Sequence, residues 1–160
     1  MMATVQLLPF GLALHLAGIT MMVGTFLAGY LNSRQLWRFL PHEREKALIV
    51  SRATSRYALF QMAGGVLILL GGIGMMIAVH GVFMRQGWFQ VKMVLLALLI
   101  VNAAVLARPA AKKLRRMLAG QEDGMDVLVL TTTRRRLMVF YGLQLGLFLT
   151  IFVLSAFKFN

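Results

Sequence analysis

The sequence of 160 residues contains no cysteine and only five acidic residues. Without cysteine the chain forms no disulfide, no thiolate-ligated iron–sulfur cluster and no covalently attached c-type haem. A metal or cofactor would therefore be held by His, Met, Lys or backbone groups.

The five acidic residues all lie in two short stretches, 43–45 and 122–126, and none falls inside an apolar run. Intramembrane carboxylates are the usual proton relays and ion sites of pumps and carriers. Their absence argues against an acid-based proton pump or cation carrier built from this chain alone.

Four long apolar runs make up most of the chain, at about 8–31, 57–80, 88–107 and 137–157. Each has about 20 residues or more, which is the length of a helix that crosses the hydrocarbon core. The sequence therefore predicts an all-α fold, an integral membrane four-helix bundle, as a single domain of residues 1–160. The first run is expected to be a retained span and not a signal peptide, because it is long and residues 1–8 carry no basic residue.

The positive charges are concentrated in two stretches, Arg34 to Arg56 and Arg108 to Arg136, whereas the connection from His80 to Trp88 carries only Arg85. Because Lys and Arg stay on the cytoplasmic side, we expect long basic cytoplasmic connections and both termini outside a bacterial inner (plasma) membrane. The net charge of +12 is then a topology signal, to which anionic lipid headgroups of the bilayer respond. A mean hydropathy of +0.77 argues against a nucleic-acid partner.

Two prolines mark helix boundaries. Pro41 is predicted to open the first turn of a charged helix that runs without a break into the second span. Pro109 is predicted to kink or interrupt the third helix, which then continues to a stop at Gly120.

Glycines recur at heptad spacing in the second run, where Gly64 and Gly71 are followed by Ala78, and Gly65 by Gly72. In lipid, small residues at an interface let helix backbones approach closely. The second helix is therefore predicted to be a close-packed central helix, or one that leaves room for a flat group beside it.

Two ionisable side chains fall at membrane depth, His15 in the first run and Lys92 in the third. Such residues are functional candidates. His15 lies about two turns below the outer end of its span and Lys92 about one turn below the same side, so we expect both in the outer half with His80 and Trp88. Two alternatives stay open: a structural histidine hydrogen-bonded across the bundle, and a lysine that snorkels to the interface.

Gly11, Gly18 and Met22 share a helix face with His15. A planar macrocycle ligated by His15 needs bare backbone above and below its ligand, and haem iron accepts a neutral imidazole. This face therefore predicts a haem b site.

A sixth ligand would come from the antiparallel second helix. Met75 and Met76 are expected near the depth of His15, whereas His80 lies about 8 Å nearer the surface at ~1.5 Å per residue. An open sixth position fits equally well. Copper is the alternative cofactor, because thioether and imidazole suit Cu(I). Its ligands would come from these residues: His15, Met21, Met22, Met75, Met76 and His80.

The block Gly87-Trp88-Phe89-Gln90-Val91-Lys92 precedes a Leu-rich run and follows a Gly-rich span and a first helix with His15 and Gly24. Over roughly the first 110 residues this arrangement resembles the superfamily that includes the HemJ-type protoporphyrinogen oxidases and the copper resistance protein D domains. The resemblance implies haem b binding, with His15 and Lys92 as functional residues. Lys92 is then the expected catalytic residue, and Trp88 is expected beside the cofactor.

Three function classes stay open. The first is a haem b redox protein, an oxidoreductase in which His15 ligates iron and Lys92 pairs with a propionate or orients an anionic substrate. Its electrons would pass to quinone or a respiratory-chain partner, and HemJ-like chemistry would make the reaction a tetrapyrrole dehydrogenation. The second is a copper-handling protein of the copper resistance protein D type. The third is a cofactor-free accessory subunit of a membrane complex, and a homo-oligomer is compatible with its glycine faces.

Overall fold

The computed structural model describes residues 2–120 and 127–157. Within these ranges the chain is helical, and four helices are long and apolar enough to cross a membrane: Leu7–Phe39, Arg44–Ala78, Gly87–Leu118 and Val127–Ala156. This is the all-α, multi-pass architecture predicted from the four apolar runs, and it is compatible with a four-helix bundle. The chain divides into two compact units, residues 1–84 and 85–160.

The N-terminal unit is an antiparallel pair of helices, α1 (Met2–Phe39) and α2 (Arg44–Ala78). The turn between them contains Pro41, which disfavours helical geometry in the residue before it and therefore ends α1. The prediction that a helix opens at Pro41 is wrong, because α2 begins at Arg44. As predicted, α2 then runs unbroken from its charged start through the second apolar run.

The C-terminal unit pairs one long helix with α5 (Val127–Phe157). The long helix consists of α3 (Gly87–Asn102), a π-helical turn (Ala103–Ala107) and α4 (Arg108–Leu118). The π turn directly precedes Pro109, and its wider geometry accommodates a ring that would clash with a carbonyl of a regular α-helix. The predicted interruption at Pro109 is thus confirmed in the form of a π turn. Gly120, with φ +72°, follows the end of α4 as predicted.

Large apolar side chains cover much of the outside of the spans, as Leu59 (70% exposed) and Phe152 (71% exposed) illustrate. Such a surface would be an aggregation liability in water, whereas lipid chains solvate it. Buried residues occur in both units, for example Ala47 in the first and Leu114 in the second.

Candidate functional site

Four glycines bring the backbones of α1 and α2 into contact, with Gly11 facing Gly71 and Gly18 facing Gly64. A Cβ built on Gly18 would lie 2.6 Å from the carbonyl oxygen of Gly64, and one on Gly71 would lie 2.5 Å from that of Gly11. Real Cβ atoms essentially never approach other atoms within 3.0 Å. The predicted close packing of α2 through its heptad glycines is therefore confirmed.

The four glycine contacts repeat one pattern, in which each Cβ position meets the facing glycine and the residue one turn after that glycine. The residues met in this way are Met75 at Gly11, Ile68 at Gly18, Met22 at Gly64 and His15 at Gly71. The α1–α2 interface thus has an approximate two-fold symmetry. His15 occupies a position that the other three contacts fill with an apolar side chain.

The His15 ring lies against α2, with Nδ1 at 2.8 Å from the carbonyl oxygen of Ile68. A carbonyl only accepts, so Nδ1 carries the proton and donates it, and in the neutral ring the lone pair is on Nε2. This bond matches the structural alternative of a histidine hydrogen-bonded between helices. It is also the type of bond that orients histidines that ligate metals.

The α1 face that was expected to be bare around His15 is filled by α2. Gly11 and Gly18 lie against α2 backbone, and Met22 Cγ is 2.9 Å from the Cβ position of Gly64. A macrocycle therefore has no room on this side of His15. The sequence signal for this packing is the equal seven-residue spacing of the two glycine pairs, which lets antiparallel helices meet at both places.

Backbone without a close neighbour lies instead on α2, at Gly72 beside the His15 ring and at Gly65 seven residues earlier. A Cβ on Gly65 would have nothing within 4 Å, and one on Gly72 would meet His15 Nδ1 at 3.8 Å and Cε1 at 3.9 Å. Gly64 and Gly71 thus pack against the α1 backbone, whereas Gly65 and Gly72, the second pair at heptad spacing, do not.

The methionines proposed as metal ligands are spread along the interface. Met75 lies against Gly11, one turn from His15, and Met22 lies against Gly64, seven residues or roughly 10 Å beyond His15. The backbone carbonyl of Met76 accepts a hydrogen bond from the Gly81 N–H at the end of α2. In the described ranges, no three His, Asp or Glu side chains are grouped so that they could hold a metal ion.

His80 terminates α2. Its φ is +53°, its N–H donates to the Ile77 carbonyl at 3.1 Å, and the Gly81 N–H donates to the Met76 carbonyl at 3.0 Å. These two bonds define a Schellman motif, in which the left-handed position is usually glycine. His80 is exposed, and its visible role is to end the helix.

Trp88 and Lys92 lie in the first two turns of α3, in the C-terminal unit. The Trp88 indole donates to Gln86 Oε1 at 2.7 Å and packs edge-on against Phe89, as suits an aromatic residue at a membrane interface. Lys92 is half-buried and forms no ion pair with the acidic side chains of the described ranges. That Lys92 and His15 both lie in the outer half of the membrane stays a prediction.

Asn102 and Gln144 form a buried amide pair that the sequence did not single out. Asn102 Nδ2 donates to Gln144 Oε1 at 2.8 Å and to the Phe140 carbonyl at 3.3 Å, whereas its buried Oδ1 has no hydrogen-bond partner. The Phe140 carbonyl can only accept a hydrogen bond, so the Asn102 amide atom that faces it is the nitrogen. The available signal was the presence of amide side chains inside apolar runs, Asn102 in the third and Gln144 in the fourth, because such groups join helices in lipid.

No family model matches this sequence, and neither a curated protein nor a solved structure matches it.

Proposed function

We propose that this chain is a four-span membrane redox protein that binds haem b through His15. The observation that supports the proposal is the 2.8 Å hydrogen bond from His15 Nδ1 to the Ile68 carbonyl. This bond puts the lone pair of the neutral ring on Nε2 and holds the ring in one orientation. Histidines that ligate metals commonly donate their other ring N–H to a backbone carbonyl, which fixes the tautomer and the ring orientation.

The surroundings of His15 suit haem better than copper. One imidazole is enough to hold haem iron. A Cβ on Gly72, beside the ring, or on Gly65, seven residues earlier on α2, would meet no atom closer than 3.8 Å. In this proposal Gly65 and Gly72, and not Gly11 and Gly18, would lie beside the haem. A copper site would require several thioethers to converge on His15, whereas Met22 and Met75 each pack against a glycine one to two turns away. When bound, haem would supply one-electron transfer chemistry.

Lys92 is the catalytic residue in this proposal. Its role follows from the resemblance of the Gly-Trp-x-x-x-Lys block to HemJ-type oxidases, and it is supported by a half-buried ammonium without an acidic partner in the described ranges. Lys92 would orient an anionic tetrapyrrole, and the electrons removed from that substrate would pass to a quinone. Lys92→Ala should then impair turnover more than pigment retention, and equal loss of both would contradict this division of roles.

The decisive measurement is the visible spectrum of the purified protein, compared with that of a His15→Leu variant. Leucine keeps an apolar side chain of the size that the equivalent position holds at Ile68, so the helix pair should survive and the Soret band should disappear. His42→Leu is the matched control, because His42 lies in the exposed turn before α2 and its loss should leave the band unchanged.

Three results would contradict haem ligation by His15. The first is a Soret band that persists in His15→Leu. The second is a colourless wild-type protein from cells supplied with haem. The third is a colourless protein that takes up Cu(I) stoichiometrically, which would favour the copper-handling alternative.

A second candidate function is that of a cofactor-free accessory subunit, and the symmetry of the α1–α2 interface favours it. His15 stands where Ile68 stands in the equivalent contact, and its hydrogen bond to α2 is sufficient to satisfy a buried ring nitrogen. This candidate predicts a colourless protein in which His15→Leu changes little.

The proposed orientation has both termini outside the bacterial inner membrane and both basic connections in the cytoplasm. The support is the partition of Lys and Arg along the sequence. Because the chain has no cysteine, a single introduced thiol reports its own side of the membrane. An impermeant maleimide should label Arg85→Cys in intact cells, and it should label Glu45→Cys only after the cells are lysed. The reverse pattern would overturn the orientation.

A further inference from the structure

A groove of about 260 Å³ lies between α4 and the first turns of α5, within the C-terminal unit. Its polar lining comes from Lys113, Thr132, Thr133 and Arg136, and its apolar lining includes Leu128 and Val129. The two cations make this lining suitable for an anionic group.

The two cations of the groove have no counter-charge in the described part of the C-terminal unit, which contains no acidic side chain. The side chains of Lys113 and Arg136 are both exposed. The surrounding surface adds further positive charge through Arg108, Lys112, Arg115, Arg116, Arg134 and Arg135. Between residues 108 and 136, eight Lys and Arg side chains outnumber the three carboxylates of Glu122, Asp123 and Asp126, so an anion that enters the groove meets a net positive charge.

The groove lies at the level where the apolar parts of both helices end. Asn102 bonds to the Phe140 carbonyl, and Arg136 lies one turn from Phe140, just before the last apolar run begins. On the partner helix, Arg108 begins the basic stretch six residues after Asn102. Charged side chains avoid the hydrocarbon core, so this end of the pair lies among the lipid headgroups.

The donors in the groove identify the anion. The Thr132 hydroxyl already donates to the Leu128 carbonyl and the Thr133 hydroxyl to the Val129 carbonyl, both at 2.8 Å. The donors for a ligand are therefore the Lys113 ammonium and the Arg136 guanidinium. A guanidinium binds phosphate oxygens in a bidentate manner, and an ammonium adds a point charge. Arg136 adjoins the apolar run that starts at Leu137, and Val139, one turn after Arg136, is exposed, so the acyl chains of a phospholipid whose phosphate binds Arg136 would continue along this run toward the hydrocarbon core.

We propose that this groove is a binding site for the phosphate of an anionic phospholipid, with Lys113 and Arg136 as its two donors. Basic pockets between transmembrane helices bind lipid headgroups in this way. The site does not depend on haem binding or on the orientation proposed above.

Native mass spectrometry of the full chain in detergent tests the site. The protein is titrated with phosphatidylglycerol, with phosphatidylcholine of the same acyl chains and with inorganic phosphate. We expect one phosphatidylglycerol to bind about tenfold more tightly than phosphatidylcholine, and inorganic phosphate to bind far more weakly because it has no acyl chains to contact the apolar run after Arg136.

The test variant combines Lys113→Ala with Arg136→Ala, and its matched control combines Lys112→Ala with Arg135→Ala. Both remove two charges from the same two helices, but the control residues do not line the groove. The test variant should lose about tenfold in affinity for phosphatidylglycerol, and the control should lose little. A third variant, Lys113→Arg, should bind as the wild type does, which separates loss of charge from misfolding.

Equal weakening in the test variant and the control would show diffuse electrostatic attraction and would overturn the site. Equal affinity for the two phospholipids would also overturn it. Inorganic phosphate that binds as tightly as phosphatidylglycerol would make this a site for free phosphate and would refute the lipid assignment.

Discussion

The carbonyl oxygen of Gly64 lies 2.6 Å from the point at which a side chain on Gly18 would begin. No residue larger than glycine fits this contact without moving one of the helices. Backbones that approach this closely gain dispersion and Cα–H···O contacts, which lipid cannot replace. The contact therefore sets the register of α1 against α2.

Gly18→Val should destabilise the protein by about 1–3 kcal/mol, because the added carbons overlap α2 backbone and force the helices apart. Gly24→Ala is the control on the same helix, since a Cβ there meets nothing within 4 Å; it should be neutral or stabilise by up to ~1 kcal/mol. Unfolding in sodium dodecyl sulfate titrations measures both. If the two variants are equally stable, the close contact does not exist in the membrane protein.

His15→Leu should cost much less stability than Gly18→Val. The variant keeps an apolar side chain of suitable size and loses the interhelical hydrogen bond to Ile68. Such bonds average about 0.6 kcal/mol in membrane proteins and reach about 1.7 kcal/mol. The same denaturant titration measures it. A loss of several kcal/mol would mean that His15 has a structural importance beyond its bond to Ile68, and would weaken the use of this variant as a test of pigment binding.

His80→Gly should stabilise the end of α2 by about 1 kcal/mol, because a left-handed residue with a Cβ is strained and glycine is not. His42→Gly is the control, since His42 lies in a turn and has no positive φ. Thermal unfolding of the two variants provides the comparison. If His80→Gly also removes a bound pigment or metal, then His80 is a ligand as well as the residue that ends the helix.

The amide pair Asn102 and Gln144 should show coupling in a double-mutant cycle. Asn102→Leu leaves Gln144 Oε1 without the donor that it has at 2.8 Å. Adding Gln144→Leu should therefore recover part of the loss, with a coupling of about 0.6–1.7 kcal/mol. Asn102→Leu combined with Gly24→Ala should be additive. Additivity in the amide pair too would show that the hydrogen bond contributes nothing to stability.

Helix positions were predictable from local properties of the sequence. Apolar length placed the four spans, Gly120 ended α4 where its left-handed φ was expected, and Pro109 disturbed the helix. The error at Pro41 has a local cause as well: the chain turns around this proline, and α2 starts three residues later, at Arg44.

The site around His15 was only partly predictable. The sequence showed that a histidine stands among glycines, but not which glycines lie against another helix and which lie beside open space. That distinction depends on how α1 and α2 are rotated about their axes, which local composition does not determine. The buried bond between Asn102 and Gln144 depends on the register of two helices in the same way.

The sequence by itself determined the number of apolar helices, their approximate ends and the concentration of positive charge outside them, because hydrophobic length and charge act residue by residue. Tertiary structure decided that Gly11 and Gly18 are packing positions, that Ile68 holds the His15 ring, and that Lys113 and Arg136 line one groove. Each of these is a contact between residues distant in sequence, and only the packing of one helix against another brings their atoms together.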